Sequence, residues 1–183
     1  ASRRATMHHP TRTTLTLLAM AIAWPAMAAT DITVTMRKVT QDGTSDTLGT
    51  VLIAASAAGA TFKLDLHGLP PGPHGFEVHE NDNCGPTFIN GIRIPGGAAG
   101  APFDPDFTGK HTGPNGDGDL GDLPVMDVAA NGTATQTLTA PRIKDINVLK
   151  RHALVIHIGG DNYSDSPDLN GGQGGRLACG GIE

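Results

Sequence analysis

The chain after Ala28 reads as an all-β protein, a Greek-key β-barrel or sandwich carrying two long functional loops. Three observations predict it. Apolar and polar residues alternate with period two in 32–36 (Ile-Thr-Val-Thr-Met), in 62–66 (Phe-Lys-Leu-Asp-Leu) and in 133–138, the pattern of strands with one buried face. No sustained helical period occurs beyond Ala28. Between the strand patterns lie two stretches rich in Gly, Pro, Asp and Asn, residues 81–121 and 159–175. Loops of that length in a compact domain usually form a binding or catalytic site.

The N-terminal part has a different character. Met7 can start translation, Arg12 precedes an apolar run over 15–24, and Ala26-Met27-Ala28 stands before Ala29. That is the layout of a secretory signal peptide, with an apolar core too short to span a bilayer. A buried N-terminal helix is the rival reading. Residues 1–28 are thus expected to be an N-terminal extension and signal peptide. Residues 29–183, about 155 in number, suffice for one self-supporting core. Within this domain the alternating run at 32–36 is followed by short apolar stretches at 51–55, 123–128 and 153–158. No repeat, charge block or linker divides it.

The formal net charge of -5 disfavours nucleic acid and anionic membrane as partners. An anionic substrate would need a local positive group. Two cysteines, Cys84 and Cys179, most simply form one disulfide in an exported protein, with two free thiols or a metal pair as the alternatives. Residues 74–79 read His-Gly-Phe-Glu-Val-His. On an extended strand side chains alternate, so Glu77 and His79 point to one face and converge on one spot.

Several separated motifs carry a resemblance. They are His74-Gly75-Phe76-x-Val78-His79-Glu80, Cys84, Phe103-Asp104-Pro105 with Thr108-Gly109-Lys110-His111, Gly113-Pro114 and Gly121-Asp122-Leu123-Pro124. After these come His152-Ala153-Leu154-x-Ile156-His157, then 159–165 (Gly-Gly-Asp-Asn-Tyr-Ser-Asp), and finally Arg176-Leu177-Ala178-Cys179-Gly180. In this order they resemble the bacterial, periplasmic copper/zinc superoxide dismutases, over about residues 31 to 182. The resemblance implies a periplasmic location, superoxide as the substrate of any active form, and no membrane contact after leader cleavage. A homodimer is compatible with it.

The family's ligand positions transfer one residue at a time. Its copper is held by four histidines: two from the strand that here carries Glu77 and His79, one that bridges to zinc, and one matching His157. The bridge falls where this chain has Pro102. Its zinc uses that bridge, a histidine matching His111, a second histidine where this chain has Asp119, and an aspartate matching Asp122. His79, His111, Asp122 and His157 therefore match, while Glu77, Pro102 and Asp119 depart. Arg176 matches the guanidinium that draws superoxide in, although it could equally anchor a loop through backbone carbonyls. Asp161 matches the aspartate that links the two metal sites, and Cys84 and Cys179 match the structural disulfide.

The departures bear on the chemistry. In the family the bridging imidazole leaves copper on reduction and picks up a proton, and Pro102 has no side-chain donor. Glu77 offers a harder oxygen that favours Cu(II) over Cu(I). Superoxide dismutation is expected to be severely impaired or lost, and the full copper/zinc pair is not expected. The alternative is an active periplasmic dismutase with an unorthodox copper site. Glu77, His79 and His157 could hold one divalent ion, Cu, Zn or Fe, because two histidines and one carboxylate also serve non-haem iron. Otherwise Glu77 pairs with a protonated His79 or His157 in a metal-free pocket.

On the zinc side, His111, Asp119 and Asp122 could hold zinc, or with nearby Asp117 calcium or manganese, or could be solvated loop acids. His74 is expected to hydrogen-bond backbone, and His67 and His152 to be surface or peripheral groups. The Asp-rich run 161–168 resembles the family's electrostatic loop. The run 171–175 is no phosphate cradle, because no helix follows it.

Overall fold

A computed structural model describes residues 30–183; the leader expected at 1–28 lies outside the described residues. Eleven strands are present among the described residues: β1 (Ile32–Thr40), β2 (Gly43–Ser56), β3 (Gly59–Leu66), β4 (Gly72–His74), β5 (Phe76–His79), β6 (Thr87–Ile89), β7 (Ile92–Ile94), β8 (Met126–Val128), β9 (Thr137–Ala140), β10 (Ala153–His157) and β11 (Arg176–Gly181). Seven form one curled antiparallel sheet in the order β5-β10-β11-β1-β2-β3-β9, while β4 pairs with β8 and β6 with β7. The last strand, β11, returns to lie beside β1 of the β1-β2-β3 meander, which is the Greek-key return. The all-β expectation therefore holds.

Alternation dictates which residues face inward. Ile32, Val34 and Met36 of β1 and Phe62, Leu64 and Leu66 of β3 are buried, and the polar residues between them face outward. The Phe62 and Phe76 rings meet edge to face at 5.9 Å in the centre of this core. Strands β5 and β10 are buried throughout. Their inward residues Phe76, Val78, Leu154 and Ile156 join the main core. On the opposite face Ala153 and Val155 form a second cluster with Val39, Ala99, Cys179 and Cys84.

The cover over that second face is the segment after β5. Glu80 N–H donates to Ala101 O, Phe103 N–H to Val78 O, and Val78 N–H to Gly121 O. The edge of β5 is thus paired by loop backbone instead of being left open. The disulfide Cys84–Cys179, with Cα atoms 5.6 Å apart, ties the loop to β11.

Two boundaries differ from the sequence expectation. Residues 133–136 are not regular strand, and β9 starts at Thr137. They still follow β3 through Leu64 N–H to Gln136 O and Leu66 N–H to Ala134 O, so the alternation is real but the ladder is irregular. The apolar stretch 123–128 yields strand only over Met126–Val128, because Gly121 and Asp122 are bound up with β5.

Candidate metal centre

Glu77 pairs with Val155 of β10, and His79 with Ala153. Both project from the face that the loops cover, and both are buried. His157, at the end of β10, reaches the same point. Three donor atoms converge there: Glu77 Oε2 lies 3.1 Å from His79 Nε2 and 3.1 Å from His157 Nε2, and the two Nε2 atoms are 3.3 Å apart. Each imidazole is oriented from behind, His79 by Nδ1 to Gly100 O at 2.9 Å and His157 by Nδ1 to Gly174 O at 3.1 Å. A carbonyl accepts only from N–H, so each ring carries a proton on Nδ1 and turns its Nε2 toward the carboxylate.

Three lone-pair atoms in mutual contact require a cation among them, either a proton or a metal ion. Burial would raise the Glu77 carboxyl, but hydrogen bonds from His157 and His79 and their charges outweigh it and hold it well below the usual carboxylate range. His79 is pushed down, chiefly by burial, against the pull of Glu77. An anionic carboxylate beside a neutral imidazole is a ligand set for a divalent ion.

A second group lies behind the first. His111 Nδ1 is 2.9 Å from Asp122 Oδ1 and 3.5 Å from Glu77 Oε1, while His111 Nε2 is 2.7 Å from Asp161 Oδ1. Asp122 Oδ2 is held by the backbone N–H groups of Thr112 and Gly113 at 3.0 and 2.8 Å. Burial acts to lower His111, but Asp122 and Asp161 overcome it and raise its pKa to about 10. Without a metal, His111 is therefore an imidazolium clamped between two carboxylates.

Asp119 is buried, yet its carboxylate belongs to neither convergent group found among the described residues. Oδ1 accepts from the Thr108 hydroxyl at 3.2 Å, and Arg142 donates to the Asp119 and Gly118 carbonyls at 2.9 and 2.6 Å. Asp117 is exposed. Burial, and then the charges of Asp122 and Asp104, raise Asp119 to about 6. The fold thus holds the proton of Asp119 more tightly than the unfolded chain does, so stability is lost as pH rises from about 4 to about 6 and stays lost above that. Asp119→Asn is expected to raise the melting temperature of the metal-free protein at pH 7.5 by roughly 2–6 °C and to leave it unchanged near pH 4. Equal gains at both pH values in thermal melts would refute this origin.

Pro102 is buried beside His79, with which it shares a backbone bridge. It lines both the cavity bounded by His111 and Asp119 and the one bounded by His79, His157 and Arg176. Arg176 donates from Nη2 to Gly100 O, while its buried Nε has no protein partner. It therefore anchors a loop and also lines the cavity that opens on His79 and His157.

His74 is buried with its ring nitrogens 2.8 Å from the carbonyls of His157 and Pro70, an architectural position. His67 is exposed, and the His152 ring lies tilted against Phe103, with ring centroids 4.0 Å apart.

Gln173 was not anticipated. It is buried and donates from Nε2 to Glu77 Oε1 at 2.7 Å and to Asp161 Oδ2 at 3.3 Å, linking both groups. The only signal for it in the sequence is one long polar residue in a run of glycines, 171–175. Two glycines leave room for this arrangement: a Cβ on Gly171 would lie 1.9 Å from Asp161 Oδ1, and one on Gly75, across from the run, would lie 1.9 Å from Gln173 Oε1.

A curled Greek-key sheet whose two long loops close over buried imidazoles and carboxylates is a metalloprotein scaffold. Residues 47–182 match the family model for copper/zinc superoxide dismutase, and the chain belongs to that family. It is 44% identical to the Cu-Zn superoxide dismutase of Escherichia coli over 172 residues, which span 94% of this chain and 99% of that one. It is 47% identical over 169 residues to superoxide dismutase [Cu-Zn] 2 of Salmonella typhimurium, covering 92% and 95%. Among solved structures, the Cu/Zn superoxide dismutase from Brucella abortus superposes with a TM-score of 0.83 at 44% identity, over 84% of this chain and all of that one. The monomeric copper, zinc enzyme from Salmonella enterica gives 0.76 at 47%, again over 84% of this chain and all of that one.

Proposed function

We propose that this chain is an exported member of the superoxide dismutase family that binds one divalent ion through Glu77, His79 and His157 and removes superoxide far more slowly than its orthodox relatives. The three donor separations of 3.1, 3.1 and 3.3 Å carry the reading. Two ligand atoms about 2.0–2.1 Å from one ion in tetrahedral geometry lie about 3.3–3.4 Å apart, close to all three values. The donor set therefore fits the metal that the family implies.

Copper bound there would supply one-electron chemistry, taking an electron from one superoxide and giving it to the next. The chain's own residues then set the rate. Arg176 provides the local positive charge that an anionic substrate needs in a protein with a net charge of -5, and it borders the cavity that leads to His79 and His157. The Glu77 oxygen favours the oxidised ion. Neither imidazole has a free nitrogen to take up a proton while remaining a ligand, since both Nδ1 atoms are engaged with carbonyls. Pro102 supplies none. Proton delivery therefore falls to water, and turnover slows.

The leader, the disulfide and the bacterial relatives support a periplasmic location. The test is calorimetric titration of Zn(II) into metal-free protein recovered from the periplasmic fraction and beginning at Ala29. At least one equivalent should bind to the wild type, with affinity falling about 10–100-fold or more in His157→Ala. An unchanged isotherm in that variant would dismiss the reading.

A further inference from the structure

The two donor groups share one residue. Glu77 Oε2 faces His79 and His157, while Oε1 faces His111 Nδ1 at 3.5 Å, where Asp122 Oδ1 also lies. We propose that Glu77 is a bridging carboxylate between two divalent ions, one held by Glu77, His79 and His157, and the other by Glu77, His111 and Asp122. The connection between ions thereby moves from position 102, where proline has no donor, to position 77.

Lone-pair accounting supports the bridge. A carboxylate has about four acceptor positions. Oε2 directs its own at the first group. Oε1 gives one to Gln173 Nε2 at 2.7 Å and keeps one for the second group. At that second group the supporting contacts leave the right atoms free. His111 Nε2 faces Asp161, the carboxylate partner that a metal-bound histidine ordinarily has, which leaves Nδ1 as donor. Asp122 spends Oδ2 on two backbone N–H groups and presents Oδ1. Two imidazoles and one oxygen make the first site the more nitrogen-rich, and one imidazole with two oxygens makes the second the harder. The first site, with two nitrogen donors to the second site's one, therefore fills first.

The inference rests on the reading of the first donor set given above but can fail separately from it. The probe is Co(II), added to metal-free full-length mature protein and followed by equilibrium dialysis with elemental analysis and by its visible absorption. Two ions per chain are expected, bound in two steps. Glu77→Gln, with one oxygen donor in place of two, should weaken both steps by about 10–100-fold. Glu77→His keeps a donor for the first site only, so it should retain the first step and weaken the second by a similar factor. This variant carries the residue type that the family uses here, which guards against a folding failure. Asp122→Asn should weaken the second step alone, with far-UV circular dichroism unchanged. One ion per chain, or a second step unaffected by Glu77→His, would overturn the bridge and leave the first site standing. No binding at all would overturn both.

Discussion

Changing Glu77→His, Pro102→His and Asp119→His together is expected to raise superoxide removal by the copper- and zinc-loaded protein by about 100-fold or more. Changes in groups that merely support a ligand already cost 10–100-fold, and this triple change restores three direct donors. The surroundings need no alteration. His79 and His157 are already oriented by Gly100 and Gly174, Asp122 and His111 are in mutual contact, and Arg176 borders the entrance. Pro102 lines both cavities, so an imidazole at that position can face both metals. Single changes are expected to recover much less, since each leaves either the bridge or a terminal donor missing. A triple variant no faster than the wild type, with both metals bound, would place the fault outside the ligands.

Removing the disulfide should produce the largest loss of stability. Cys84 and Cys179 are separated by 95 residues, a closure that the chain-entropy model values at about 4–5 kcal/mol. For a domain of this size the corresponding fall in melting temperature is about 10–15 °C. The same bond tethers the segment that carries Pro102, His111 and Asp122. Cys84→Ala with Cys179→Ala should therefore weaken metal binding at His111 and Asp122 more than at His79 and His157, which stand on strands. Thermal melts of the metal-free proteins measure the first effect and the Co(II) titration the second. A melting temperature within about 3 °C of wild type would show that the loop is held by its backbone hydrogen bonds alone.

What the sequence disclosed divides along the range of the interactions. The shared face of Glu77 and His79 follows from the two-residue period of a strand, which is local geometry, and the structure has both side chains on the face covered by the loops. The all-β class was legible for the same reason. His111, Asp122, His157, Asp161 and Arg176 could be picked out only by resemblance, because the contacts that unite them span tens of residues. Two features escaped altogether. Gln173 reaches Glu77 across 96 positions, and nothing local marks a glutamine among glycines as buried. The second oxygen of Glu77 meets His111 only because the loop folds back over β5. Asp119 lines the same cavity as His111 and its carboxylate accepts from Thr108, while the third place in the convergent group with His111 and Asp122 belongs to Glu77. The irregular start of β9 has a similar origin, since alternation reports a buried face and not a continuous ladder.

The most direct test of the whole account is the rate of superoxide decay, followed by pulse radiolysis, in the presence of wild-type protein carrying one equivalent of Cu(II). A barrel that holds its ion with two imidazoles and a carboxylate, with no imidazole to relay the proton, should work at least about 100-fold below the diffusional ceiling of about 10⁸–10⁹ M⁻¹s⁻¹. A rate constant at that ceiling would contradict it.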